Sequence, residues 1–264
     1  MIGALSSNPL SNAQQSLQTS TQRLASGQRL HSAKDDAAAV AIAASMVAQL
    51  RGTDQATRNV YDGLSLTDTA GGALGQVSDS LQRMRELAVQ AANGTNSASD
   101  IQSIQGEINQ LAQGLNDIAG SAQFNGQNLL DGSFSAQLQT GANAGDTYTL
   151  ALGNASISGL GIGSIDVTTP AGAAGALDSL DSAINVVGSM QSHIGAAQAG
   201  LNSELANLTN TYDNLAAAKS RIADTDYAQE SSNQALNQAR VQASTKALAI
   251  YNSIQGNELS LLKR

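Results

Sequence analysis

Apolar residues recur at alternating intervals of three and four along most of this chain, a spacing that places them on one face of an α-helix. The runs are long because proline, which breaks helices, occurs only at positions 9 and 170. The first run keeps the seven-residue rhythm of a coiled-coil seam and consists of Leu10, Ala13, Leu17 and Leu24. A chain with this pattern is expected to fold into long, closely packed helices.

The segment HSAKDDAA at 31–38 predicts the start of the next helix. Ser32 is a suitable cap, and the carboxylates of Asp35 and Asp36 suit the positive end of a helix. A short apolar stripe follows over 40–50, before a stretch that is rich in polar residues. We therefore expect a capped helix that begins near Asp36.

A second, longer helix is predicted over about 56–92, with an antiparallel partner over about 101–119. The seam of the longer helix is Leu74, Val77, Leu81, Met84, Ala88 and Ala91. The seam of its partner is Ile101, Ile104, Ile108, Leu111, Leu115 and Ile118. The two seams have the same spacing, so they are expected to pack against each other.

Between about 124 and 152 the pattern changes to the period of two that is typical of β-strands. Asn-Gly and Asp-Gly pairs at 125–126 and 131–132 predict turns, so we expect two or three short strands. Residues 153–175 are rich in Gly, Ser and Ala and predict a small irregular region or further short strands. Helical spacing returns over about 177–222.

The composition argues against several classes of function. A net charge of -8 with only 13 Lys and Arg argues against a nucleic-acid partner, and the absence of cysteine excludes disulfides and thiolate metal sites. No run approaches the ~18 apolar residues of a membrane span. The N-terminal sequence MIGALSSNPLSNAQQ lacks the features of a cleavable signal peptide. No cofactor and no membrane insertion are expected.

The last helix carries an apolar stripe whose partner is not evident within one chain. Its members are Leu236, Ala239, Ala243, Ile250, Ile254, Leu261 and Leu262. Isolated amphipathic helices are marginal in water, so the two terminal helices would bury their stripes against each other and against neighbouring subunits. The sequence therefore predicts a polymer.

Five segments stand out as specific motifs. They are SAKDDAA at 32–38, LQRMRELAVQAANGTNS at 81–97, QFNGQNLLDGSF at 123–134, SRIADTDYAQE at 220–230 and the terminal LSLLKR. In this order, and over nearly the whole chain, they resemble bacterial flagellin. The chain departs from that family's pattern at its start, where Met-Ile-Gly-Ala-Leu stands in place of a segment that typically holds an Asn-Thr-Asn run.

The resemblance implies a mainly α fold, a long antiparallel helical bundle or coiled coil with a small β-hairpin region and paired N- and C-terminal helices. Residues 1–35 and 223–264 would form an inner coiled-coil domain, and residues 36–222 a helical-bundle and β-hairpin domain. Residues 153–176 would stand where longer members carry outer domains, which this short form lacks. Such a chain would polymerise into the extracellular flagellar filament used for motility.

The resemblance also implies partners. Other flagellin subunits, the flagellar cap, the hook-associated proteins and a cytoplasmic export chaperone on the C-terminal helix would bind the chain, which would be exported without a cleaved signal peptide. The residues that would assemble the terminal helices are Leu10, Leu17, Leu24, Leu236, Ile250, Ile254, Leu261 and Leu262. In many flagellins the host receptor TLR5 recognises an Arg, a Leu and a Glu, whose counterparts here are Arg83, Leu87 and Glu107.

Ordinary roles compete with these interpretations. Arg83 and Leu87 are four residues apart on one helix face, so with Glu107 they could serve filament contacts alone, and we favour that as their primary role. His31 and His193 lack neighbours at metal-ligand spacing and are expected to be solvated or packed.

Other classes of protein compete with the filament subunit. Asp35 and Asp36 would make an acid pair in an enzyme, but helix capping explains them better, and we expect no enzyme. A hook-filament junction protein of the same superfamily is the nearest alternative. A cell-surface adhesin is a weaker one, because 153–176 offers little room for an outward site.

Overall fold

The computed structural model describes the backbone of residues 3–262 and the side chains of residues 9–257. The fold is mainly helical with two small antiparallel hairpins, as predicted. The helices are α1 (Gly3–Ser26), α2 (Ala37–Ala91), α3 (Ala98–Ser121), α4 (Pro170–Ala223) and α5 (Tyr227–Leu262). The strands are β1 (Gln123–Phe124), β2 (Gln127–Asn128), β3 (Ser135–Gln139) and β4 (Thr147–Ala151).

The chain divides into two compact units. The terminal unit comprises the described residues of 1–50 and 213–264, and the middle unit comprises 51–212. Both boundaries fall inside helices, in α2 and in α4. The terminal unit is therefore built from two separated stretches of sequence, and the middle unit is the single stretch between them.

The apolar stripe at 40–50 and the helix expected over 56–92 belong to one helix, α2. The polar stretch between them resembles a break, but it contains no proline and its Thr53 is buried. Gly52 lies so close to the loop between β3 and β4 that a Cβ there would stand 2.8 Å from Ala142 Cβ. The loop covers Gly52, while Arg51, Asp54 and Gln55 stay exposed, and the helix continues through the stretch.

The middle unit is held together by a large apolar core shared by α2, α3, α4 and the hairpins, and by a smaller cluster of Ala56, Val60, Leu201 and Leu208. All six predicted seam residues of α2 are buried, and Ile104, Ile108 and Leu115 are the buried members of the α3 seam. Burying one Leu or Ile side chain contributes roughly 1.5–3 kcal/mol. The seams predicted from spacing thus lie in the core that stabilises this unit.

The predicted strands form two separate hairpins rather than one set of two or three strands. In the first, β1 and β2 are two residues each, too short for alternation to reveal them. Their turn is Asn125-Gly126, where both residues have positive φ, as the sequence predicted for an Asn-Gly pair. In the second, β3 pairs with β4 with Leu138 opposite Tyr148.

Residues 152–169 are irregular, as predicted, but α4 already begins at Pro170. Gln105 on α3 holds this segment: its Oε1 accepts a hydrogen bond from Val167 N (2.8 Å) and its Nε2 donates to Ile165 O (3.0 Å). Val167 is fully buried. The segment is therefore anchored on the core.

In the terminal unit, α1 ends where Gly27 takes a positive φ and its N–H bonds to Arg23 O. The chain then meets the α4–α5 junction, where Arg29 N donates to Ala223 O (2.7 Å) and Thr225 N donates to Gly27 O (2.9 Å). These bonds bring the start of α5 beside the end of α1. The two terminal helices run antiparallel from this point.

The start of α2 is capped by Asp36, not by Ser32. Asp36 Oδ1 accepts from Ala39 N at 3.0 Å. Asp35 instead closes the preceding turn, because its Oδ2 accepts from His31 N and Ser32 N. The hydrogen bond from the His31 backbone is the main cause that lowers the pKa of Asp35, and the hydrogen bond from the Ser32 backbone lowers it further. Asp36 stands directly before the first helical residue, Ala37, and is therefore better placed as a cap than Ser32, which lies four residues before Asp36.

Candidate functional site

The face of α5 that packs on α1 is polar near the junction. Glu230 and Asn237, seven residues apart, are buried there, and Gln234 and Val241 are half-buried. On α1 the buried residues are Ala13 and Ser20, and the half-buried ones include the predicted Leu10, Leu17 and Leu24 as well as Thr19 and Arg23. The predicted stripe of α1 thus lies in the seam, but it meets a polar stripe of α5.

Side chains cross this seam at three levels. Asn237 Nδ2 donates to Ser20 Oγ at 3.3 Å, and Gln234 Nε2 donates to Thr21 Oγ1 at 3.3 Å. Arg23 Nη1 lies 3.8 Å from Glu230 Oε2. Sequence reasoning missed these contacts, although the seven-residue repeat of Glu230, Asn237, Ser244 and Tyr251 was a signal for them.

The apolar stripe predicted on α5 is exposed. Leu236 is 51% exposed, Ile250 is 61% and Ile254 is 51%. Ala239 and Ala243 are exposed as well, while the side chains of Leu261 and Leu262 lie outside the described residues. An exposed row of large apolar residues along one helix is typical of a surface that binds another protein.

Arg83, Leu87 and Glu107 come together on α2 and α3. Arg83 Nη2 donates to Glu107 Oε1 at 3.0 Å, and its Nη1 donates to Glu86 Oε2 at 3.0 Å. The hydrogen bond to Glu107 is the main cause that raises the pKa of Arg83. Leu87 is only 2% exposed, so it packs in the core beneath an exposed ion pair.

The remaining candidate residues have ordinary surroundings. His31 and His193 are both exposed. The described residues contain no group of three His, Asp or Glu side chains arranged to hold a metal ion. Within the described part of the chain, no helix has a stretch long and apolar enough to cross a membrane.

Two family models match the chain. The model described as bacterial flagellin N-terminal helical region matches residues 4–135, and the model described as bacterial flagellin C-terminal helical region matches residues 177–262. A flagellin from Halalkalibacterium halodurans is 41% identical over 249 residues, which cover 93% of this chain and 92% of that protein. The chain belongs to the bacterial flagellin family.

Other flagellins match a smaller part of this chain. The phase 1 flagellin of Salmonella naestved is 43% identical over 169 residues, which cover 64% of this chain but only 34% of the relative. The crystal structure of Bacillus cereus flagellin superposes with a TM-score of 0.52 at 36% identity, covering 61% of this chain and 94% of that structure. Only residues 136–176 separate the two matched regions here, so this flagellin is a short form.

Membership fixes the coarse function. The protein is a structural subunit of the bacterial flagellar filament. Flagellin subunits polymerise with one another into this filament, which is extracellular and serves motility. The family matches do not favour a hook-filament junction protein or an adhesin. Flagellin is a family of structural proteins and not of enzymes.

Proposed function

We propose that this flagellin assembles through its paired terminal helices, with the exposed stripe of α5 as the surface that neighbouring subunits cover. The observation that supports this is the half-exposed row Leu236, Ile250 and Ile254 on a helix that packs on α1 through other residues. Leu10, Leu17 and Leu24 act from α1 by holding the pair together. Leu261 and Leu262 continue the same stripe in sequence.

The terminal helices fold fully as they dock on the growing filament. Burial of a half-exposed Ile between subunits contributes on the order of 1 kcal/mol. This gain repeats in every subunit of the polymer, so two or three such residues decide whether subunits add. The inner coiled-coil domain of this proposal is 1–35 with 223–264, the surrounding domain is 36–222, and 153–176 is the remnant of the outer region.

The same stripe suits the other proposed partners. In the cytoplasm an export chaperone shields the C-terminal helix, since an uncovered apolar row promotes aggregation. Export proceeds without a cleaved signal peptide, and subunits add in contact with the flagellar cap and the hook-associated proteins. No catalytic role is assigned.

The test replaces two stripe residues and measures the critical concentration for seeded filament growth. Ile250→Ser with Ile254→Ser is expected to raise it roughly tenfold or more, because about 1.4 kcal/mol corresponds to a factor of ten. Gln238→Ser with Gln242→Ser is the matched control on exposed polar positions of the same helix. Filaments that grow equally well from both variants, or from a chain that lacks 230–264, would refute assembly through α5.

Recognition by TLR5 is proposed as a secondary property of the exposed Arg83–Glu107 pair. Their side chains are 51% and 46% exposed, while Leu87 supports the surface from below. Arg83→Ala should reduce receptor activation by the soluble subunit. Arg85→Ala, two residues away in an exposed pair with Asp181, should not. Equal responses to both variants would exclude a specific role for Arg83.

A further inference from the structure

The seam between α1 and α5 contains polar groups at positions that a coiled coil usually fills with apolar ones. Ser20 is 3% exposed, Glu230 is 7% and Asn237 is 8%. Together with Arg23, which faces Glu230, these residues are called the polar clasp. A polar group in such a seam lowers the stability of the helix pair, so stabilisation does not explain why these residues are there.

The two pairs within the polar clasp form only in the observed alignment. Asn237 bonds to Ser20 while Glu230, two helical turns away, faces Arg23. Sliding α5 by one heptad along α1 would break the backbone bonds at the α4–α5 junction, and it would also separate both pairs and leave the Glu230 carboxylate without its cation. An uncompensated buried charge is strongly unfavourable, whereas a wholly apolar seam would tolerate the same shift.

The charges also distinguish the two helices from each other. The cation comes from α1 and the carboxylate comes from α5. Two α5 helices from neighbouring copies that paired through this face would bring two Glu230 carboxylates together without Arg23. In a polymer that crowds many identical terminal helices, this difference separates the correct partner from the wrong one.

We propose that the polar clasp is the specificity determinant that directs α1 to α5 in a single register. It deepens the proposed function, since correct pairing leaves the apolar stripe of α5 outward. Charge is the decisive property: Arg23 Nη1 lies 3.8 Å from Glu230, and Arg23 Nε is buried with no hydrogen-bond partner among the described residues. Because no bidentate bond is formed, a lysine can replace this arginine, and an uncharged side chain of similar length cannot.

The chain has no cysteine, so introduced pairs report on the register without background. Thr21→Cys with Gln234→Cys marks the observed alignment, since these side chains touch. Thr21→Cys with Val241→Cys marks a shift of one heptad. Both pairs are treated with a short bismaleimide in the soluble full-length subunit and after seeded assembly, and the yields of cross-linked single chains are compared.

The parent is expected to cross-link in the observed alignment only, and Arg23→Lys should behave like it. Arg23→Met should lower that yield at least about fivefold and raise the shifted one. Arg23→Glu alone should lose the cross-link of the observed alignment. Combining it with Glu230→Arg should restore that cross-link. Lys246→Glu, the same charge change at an exposed position of α5, should leave the pattern unchanged.

Retention of the parental pattern by Arg23→Met, or no recovery in the double charge swap, would overturn the proposal. The proposed function fails separately. If the soluble parent and its variants cross-link as expected but the stripe variant Ile250→Ser with Ile254→Ser still forms filaments normally, the clasp stands and assembly through α5 does not. If the stripe variant blocks assembly but Arg23→Met keeps the observed register, assembly through α5 stands and the proposal for the clasp does not.

Discussion

Gly132 illustrates how one residue fixes the path of the chain into β3. Its φ is +84°, a conformation in which a residue with a side chain is strained by about 1–2 kcal/mol. A Cβ there would also stand 2.7 Å from Asn154 Cβ, where the Asp131–Asn154 bridge brings two segments together. Gly132→Ala is therefore expected to lower the free energy of unfolding of the middle unit by about 1–2 kcal/mol or more.

The control for this prediction is a glycine without either constraint. Gly72 lies inside α2, and nothing stands within 4 Å of the place where its Cβ would be. Gly72→Ala should raise the free energy of unfolding by up to about 1 kcal/mol, because alanine favours the helix. Urea unfolding of the soluble subunit measures both. Two changes of the same sign would contradict the assignment of strain to Gly132.

At the scale of single elements, α3 depends on the cap at its start. Ser97 Oγ accepts from Asp100 N, and the Asp100 carboxylate accepts from Ser97 Oγ (2.7 Å) and Ser97 N (3.0 Å). The side-chain bond from Ser97 is the main cause that lowers the pKa of Asp100, and the backbone bond adds to it. Because the lowered pKa belongs to the folded state, the stabilisation is complete above the unfolded pKa of about 3.9 and is lost as pH falls through the folded value.

Asp100→Asn keeps the shape of this cap but removes its titration. The free energy of unfolding of the variant is expected to fall less steeply than that of the parent as the pH is lowered from about 5 to 2.5. Asp117→Asn is the control, an exposed carboxylate on the same helix with no hydrogen bond or ion pair among the described residues. Parallel pH profiles of Asp100→Asn and the parent would show that the cap does not titrate in this range.

The elements also show which parts of the fold a sequence reveals. The seams of α2 and α3 were predictable because apolar residues stand out from polar neighbours at helical spacing. The apolar stripe of α5 was found for the same reason, but spacing does not say whether a partner lies in the same chain. The α5 side of the α1–α5 seam escaped detection, since Glu230 and Asn237 look like solvent-exposed residues until their partners are known.

For the whole molecule, charge is divided unevenly between the two units. Residues 51–212 contain four of the thirteen Lys and Arg and fourteen of the twenty-one Asp and Glu, which gives that stretch a formal charge of -10. The remaining residues carry +2. Of the four cations in the middle unit, Arg83 and Arg85 are already paired with carboxylates. The middle unit therefore presents a strongly acidic surface, and the terminal unit does not.

This division predicts that filament growth depends on salt through the middle unit. Neighbouring copies in a polymer bring like charges together, and the distance over which they repel falls from about 10 Å at 0.1 M salt to about 3 Å at 1 M. The critical concentration of the parent should fall as sodium chloride is raised. Asp54→Asn, Asp62→Asn and Asp79→Asn together, all at exposed positions of α2, should lower it at low salt and flatten its salt dependence.

Salt also strengthens apolar association, so the neutralised variant is what separates the two causes. The apolar stripe of α5 is identical in the triple variant and the parent. If the salt dependence came from burial of this stripe, both proteins would need the same concentration of sodium chloride for growth. If repulsion between middle units limits growth, the variant grows where the parent does not, and the two converge at about 1 M, where screening removes the difference. Equal salt requirements at every concentration would assign the control of assembly to the terminal unit alone.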